Sequence, residues 1–205
     1  MYITAITGAS GAVLGIRLVE ELLKAGKEVG VIVSASGRNI INYEILKNTE
    51  KHATISSIIK NRNAKINIKN LKEYNNDDFF SPPASGTTKF EAVAVMPCSM
   101  KTLAAIASGY ADSLITRTVD VALKENRMCV LAPRETPLNL IHIENLLKAK
   151  RAGAHILMPV PAFYTHPATI DDVVNFIVGK TLNLLGIEHK LFPAWQEISE
   201  SMLPK

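Results

Sequence analysis

The sequence predicts a doubly wound α/β domain on a mainly parallel sheet, and three observations predict it. Short apolar runs alternate with longer amphipathic segments along most of the chain, the pattern of strand–helix–strand units with right-handed crossovers. The first apolar run ends in a glycine-rich turn, Thr7-Gly8-Ala9-Ser10-Gly11-Ala12, of the kind that hands a strand over to a helix. The 205 residues are 47% hydrophobic and carry no internal repeat or low-complexity linker, which suits one core and one domain over 1–205.

Each element has its own signal. Tyr2 to Thr7 reads as a buried strand, and Gly11 to Ala25 as a helix with Ile16, Val19, Leu22 and Leu23 on one face. Gly26 ends that helix. Glu28 to Val33 is the second strand and Asn39 to Lys47 the second helix. The Lys- and Asn-rich stretch from Thr54 to Asp78 is a surface excursion with one helix and one short strand. Glu91 to Met96 is a strand, followed by helices over Lys101 to Ser108 and Asp112 to Glu125. Met128 to Ala132 is a strand, Asn139 to Lys150 a helix, and Ala154 to Met158 the last strand. Asp171 to Leu184 is a long amphipathic helix with Thr169 as its N-cap.

Composition excludes several functions. Charged residues are 20% and the net charge is +4, too mild a basic excess to mark nucleic-acid binding without an aromatic RNA-binding motif. It fits an anionic small ligand or a solvated surface. No apolar run is long enough for a bilayer. The chain opens on a strand rather than a signal peptide, so a cytoplasmic protein is expected. Cys98 and Cys129 sit in apolar strand-like runs and are expected as buried thiols in a reducing compartment. The five histidines show no metal-ligand spacing, and no metal is expected.

Four loops then fall at one sheet edge, where doubly wound folds bind ligands. The first is the glycine-rich turn, whose following helix aims its positive end toward a phosphate. The second, Pro97-Cys98-Ser99-Met100-Lys101-Thr102, places hydroxyls at a helix start, to cap it or to bind a phosphate. The third, Ala132-Pro133-Arg134-Glu135-Thr136-Pro137, holds a cation and an acid on a proline-stiffened turn. The fourth, Pro161-Ala162-Phe163-Tyr164, adds a phenolic hydroxyl.

These motifs resemble the UbiX/Pad flavin prenyltransferases. The resemblance rests on TGASGA at 7–12, PPASG at 82–86, PCSMKTLAAIASG at 97–109, ITRTVDVALKE at 115–125 and LAPRETPLNLIHIENLLK at 131–148. AFYTHP at 162–167, LNLLGI and FPAWQE continue it toward the C-terminus. It implies a flavodoxin-like or Rossmann-like, three-layer α/β/α fold. It also implies a large homo-oligomer, dodecameric by resemblance, with sites at subunit junctions and a C-terminal tail from about 186 in the contacts. The implied reaction joins the dimethylallyl group of dimethylallyl phosphate to reduced FMN at N5 and C6, making prenylated FMN for a UbiD-type decarboxylase. Two other readings stand beside it: an FMN-dependent cysteine decarboxylase of related fold, and a flavin-binding subunit without catalysis. The first is disfavoured because PPASGTT replaces the expected PASANT-type motif and no His precedes His52.

The resemblance also implies roles. Gly8, Ala9, Ser10, Ser34, Ser99, Met100, Lys101, Thr102 and Arg117 match FMN contacts. Lys124, Arg134, Tyr164 and Lys180 match the prenyl-phosphate grip. Glu135 is implied as the acid that helps phosphate leave, Glu44 as a carboxylate near the donor, Ser10 as a proton relay, and Trp195 as an aromatic facing the allylic cation. Phe79 and Phe80 stand where many relatives carry Trp, and Lys180 where Arg is frequent.

Overall fold

The computed structural model describes residues 1–48 and 53–193. Six strands form one sheet: β1 (Tyr2–Ile6), β2 (Val29–Val33), β3 (Leu71–Asn75), β4 (Ala92–Cys98), β5 (Met128–Pro133) and β6 (His155–Ile156). All pairings are parallel, in the order β3-β2-β1-β4-β5-β6. The helices are α1 (Ala12–Lys24), α2 (Ala35–Glu44), α3 (Ile55–Arg62), α4 (Met100–Ser108), α5 (Leu114–Lys124), α6 (Leu140–Arg151) and α7 (Ile170–Leu184).

The central strands β1, β2 and β4 are buried along their whole length because helices cover both faces, which is why they read as continuous apolar runs. Alternate residues serve opposite cores. Tyr2, Ile6, Val31, Ala94 and Met96 join α1, α3 and α7 on one face. Ile3, Ala5, Ile32, Val93 and Val95 join α4 and α5 on the other. Gly15 sets the depth of α1: a Cβ there would lie 2.3 Å from the Met96 carbonyl oxygen, so only glycine lets this helix seat on β4.

A polar group is built into the first core. Glu20, 4% exposed, lies 3.1 Å from Arg17 Nε and 2.7 Å from Arg62 Nε. The pairing holds α3 of the surface excursion onto α1 and explains how a carboxylate survives burial.

Two boundaries differ from expectation. The second helix starts at Ala35, four residues before Asn39, and ends at Glu44. Its first turn is Ala-Ser-Gly, weak in helix propensity. Gly37 is nevertheless required there, since a Cβ would lie 2.5 Å from the Ile6 carbonyl oxygen. The last strand is two residues, not five. Its ladder is Val130 with His155 and Leu131 with Ile156, and Pro159, lacking an N–H, follows soon after. Thr169 caps α7 as expected, accepting from the Asp172 amide at 3.2 Å.

Candidate functional site

Strand order reverses between β1 and β4, and the loops leaving these two strands open a crevice there. One side chain ties them together. The buried Thr7 hydroxyl donates to Pro97 O at 2.8 Å and accepts from the Ser99 amide at 2.8 Å. The loop after β2 closes on the same place, for a Cβ on Gly8 would lie 2.4 Å from Ser36 Cβ. Close backbone approach is therefore built into the first loop.

The crevice opens into a cavity of about 480 Å³, within the roughly 300–1,000 Å³ of small-molecule sites. Three helices begin at its walls, each capped by a serine: α2 by Ser34, α4 by Ser99 and α5 by Ser113. The α5 amides of Leu114 and Ile115 are met by the Asn76 carbonyl and side chain. The first turns of α2 and α4 hold no acid, and Lys101 adds a positive charge beside them. Asp77 and Asp112 border the cavity as well. The α2 and α4 helix starts therefore make the anion-attracting part.

The first helix departs from expectation. Its positive end does not face a free anion site. Glu44 Oε2 lies 2.9 Å from the Gly11 amide nitrogen and 3.0 Å from that of Ala12. The carboxylate meets the unpaired donors of α1, and the anion-attracting role passes to α2 and α4. The Ser99 hydroxyl caps α4, accepting from the Thr102 amide at 3.3 Å. It still borders the cavity and shares a hydrogen bond with the Thr102 hydroxyl at 3.0 Å.

Arg134 leaves the end of β5 toward this crevice. Its amide donates to Cys98 O at 3.2 Å and its Nε to Ser10 O at 3.4 Å. Glu135 follows, with Oε1 accepting from the Thr136 amide at 3.0 Å. Thus Gly8, Ala9, Ser10, Ser34, Ser99, Met100, Lys101, Thr102, Arg134, Glu135 and Glu44 lie on loops and helix ends at one sheet edge.

The other expected residues lie elsewhere in the chain. Ile115 and Thr116 line the cavity but Arg117 does not. Its Nε donates to Ala84 O at 3.1 Å and its Nη1 pairs with Asp120 at 2.6 Å. Lys124, at the far end of α5, pairs with Glu125 and crowds Gly86 of the PPASG loop. An 11-residue helix spans about 16 Å, so Lys124 sits near the opposite edge of the sheet. Lys180 lines a separate, mainly apolar cavity of about 380 Å³ with Met158, Val160 and Phe176. The Tyr164 ring meets Phe176 edge-on at 6.1 Å. Trp195 lies outside the described residues.

Several cavity residues were not anticipated: Ser36, Asn76, Asp77, Tyr110, Asp112, Ser113 and Thr116. Ser113 and Thr116 form a capping box, a spacing visible in the sequence. Ser36 lies in the first turn of α2, which begins four residues before the helix expected from the sequence, and the others come from loops with no periodic signal. The thiols do no chemistry here. Burial pushes Cys129 up to about 12 and Cys98 upward as well, so neither supplies a thiolate near neutral pH.

The chain matches the Flavoprotein family over residues 2–182. It is 47% identical over 196 residues to the flavin prenyltransferase UbiX of Methanocaldococcus jannaschii, covering 94% of this chain and 97% of that protein. The crystal structure of AnUbiX in complex with FMN and dimethylallyl pyrophosphate superposes with a TM-score of 0.84 at 38% identity, over 95% of this chain and 96% of that one. A dodecameric FMN-dependent UbiX-like decarboxylase from Escherichia coli gives 0.82 at 36% identity, over 96% and 100%.

Proposed function

The chain belongs to the UbiX flavin prenyltransferases of the Flavoprotein family, and from that premise we propose that it joins the dimethylallyl group of dimethylallyl phosphate to reduced FMN, giving prenylated FMN. The single observation that carries the reading is the cavity at the β1/β4 switch point, bordered by serine-capped helix starts and by Gly8 with its bare backbone. The polar, positive part suits a phosphate, and the close approach allowed by Gly8 suits a flat ring system. When bound, reduced FMN supplies the nucleophilic positions N5 and C6.

The chain's own residues do the rest. Ser34, Ser99, Lys101 and Thr102 hold the FMN phosphate and ribityl oxygens, with Gly8, Ala9, Ser10 and Met100 against the flavin. Arg134 stabilises charge on the departing phosphate and Glu135 donates the proton that lets it leave. Glu44, fixed by two backbone amides, sets a negative charge beside the positive allylic fragment. Ser10 relays a proton at the flavin, and Trp195 offers that fragment a π face.

Tyr164 and Lys180 of the same chain belong to the prenyl-phosphate grip, while Lys124 completes that grip and Arg117 the FMN contacts from neighbouring copies of the chain. Two observations support this. Arg117 is engaged by Ala84 O and Asp120, and Lys124 by Glu125 at the far end of α5, and α6 turns Leu140, Ile141, Ile143 and Leu147 outward at 48% to 69% exposure. Such a stripe suits burial against a second copy. The assembly is a homo-oligomer, dodecameric like the Escherichia coli relative. The tail from about 186 contributes to its contacts; within the described residues Phe192 packs on Phe176 at 5.0 Å. The product serves a UbiD-type decarboxylase in the cytoplasm.

The test is anaerobic incubation with reduced FMN and dimethylallyl phosphate, then mass spectrometry of the released flavin. Gain of one isoprene unit is expected. Unmodified flavin from protein that binds FMN would overturn the reading for this donor. Modification by dimethylallyl pyrophosphate alone would reassign the donor.

A further inference from the structure

Helix α7 carries both the residue on which Tyr164 leans and Lys180, and one arginine from another helix holds it. Arg17, on α1, donates from Nη1 to Asn175 Oδ1 at 2.5 Å and from Nη2 to Asp171 Oδ1 at 3.2 Å. Its Nε lies 3.1 Å from Glu20 Oε2, and Glu20 is held in turn by Arg62. The Arg17 side chain is only 14% exposed.

We propose that Arg17 is a positioning residue for the prenyl donor: it clamps α7 to α1 and so fixes Lys180 and Tyr164 relative to the loop that carries Ser10. The inference rests on the proposed function. Asp171 and Asn175 are four residues apart and face α1 together. Phe176 and Lys180, also four apart, line the neighbouring cavity. The clamp and the ligand-facing side are thus adjacent stripes of one helix.

Apolar packing through Val174, Ile177 and Val178 already buries α7. That packing is non-directional and tolerates small rotations about the helix axis. A planar guanidinium donating to two acceptors of α7 in fixed directions does not. Asp171 is 68% exposed, where an ion pair adds little stability. Its value is orientation. No residue of α7 borders the flavin cavity, so donor and flavin affinities are separable.

The experiment measures FMN affinity, calorimetric affinity for dimethylallyl phosphate, and steady-state prenyl transfer on FMN-loaded full-length protein. Arg17→Met is expected to raise Kd and KM for the donor about tenfold, with kcat within about threefold and FMN affinity within about twofold. Arg17→Lys, which keeps charge but not the fork, is expected between the two. If the Arg17 variants fail to fold, Asp171→Asn combined with Asn175→Ala leaves the buried Arg17–Glu20–Arg62 group intact and is expected to raise donor KM alone. Folded variants with unchanged donor affinity, or with FMN and donor affinity lost in parallel, would overturn the clamp. Parent protein that binds FMN but not dimethylallyl phosphate would overturn the functional reading beneath it.

Discussion

Glu44 closes the N-terminus of α1: its Oε2 lies 2.9 Å from the Gly11 amide nitrogen, although 33 residues separate them in sequence. This contact joins the end of α2 to the first loop of the site. Glu44→Ala should lower unfolding free energy by about 1–2 kcal/mol, the usual scale for a lost N-terminal cap and dipole partner. Glu44→Gln, keeping one acceptor without the charge, should lose less. Urea unfolding monitored by circular dichroism measures both.

Glu135 is proposed as the acid that protonates the departing phosphate. Glu135→Gln should slow prenyl transfer by roughly 10²–10⁴-fold, the range of general acid–base catalysis, with FMN affinity unchanged. Single-turnover mass spectrometry separates the two effects. An unchanged rate removes Glu135 from the mechanism.

Thr7 ties the two loops of the crevice through a buried hydroxyl. Thr7→Val keeps the shape and leaves the Ser99 amide without its partner, while the Pro97 carbonyl keeps only the Thr7 amide at 3.2 Å. A loss of about 2–3 kcal/mol is expected, together with weaker FMN binding, read by thermal melts and flavin fluorescence.

Ile143→Glu combined with Leu147→Glu places two charges on the exposed stripe of α6. Analytical ultracentrifugation should show smaller species than the parent, and prenyl transfer should fall with assembly. Parent-sized particles would place the subunit contact elsewhere.

Alkaline pH should destabilise the fold through groups whose folded pKa is raised. Burial raises the Cys129 thiol and, with Glu91 nearby, the Tyr2 phenol, each to about 12. The unfolded chain releases these protons first, near pH 8.5 for Cys and 10 for Tyr. Their stabilising contribution is therefore full below those values and lost as pH climbs toward 12, at about 1.4 kcal/mol per pH unit for each group. Denaturation midpoints between pH 8 and 10.5 should fall, and Cys129→Ala should reduce the slope.

The strands and most helices were legible because their signals are local. A strand covered on both faces is apolar throughout, as in β1 and β4, and an N-cap such as Thr169 acts within one turn. The first turn of α2 was hidden because Ala-Ser-Gly is chosen for contact with β1, not for helix propensity. The cavity residues Asn76, Asp77 and Tyr110 lie on loops whose spacing carries no period.

The sheet, its helical layers, the loops that meet at one edge and the family they resemble were all readable along the chain, since local propensity, patterning and motif spacing are properties of sequence neighbours. Which charges face one another came from the folded arrangement alone. That arrangement turned Glu44 onto α1, left the α2 and α4 helix starts to the cavity, set Arg17 against α7, and paired Arg117 with Asp120 and Lys124 with Glu125. The first three outcomes depend on through-space distance between residues far apart in sequence, which no local pattern encodes.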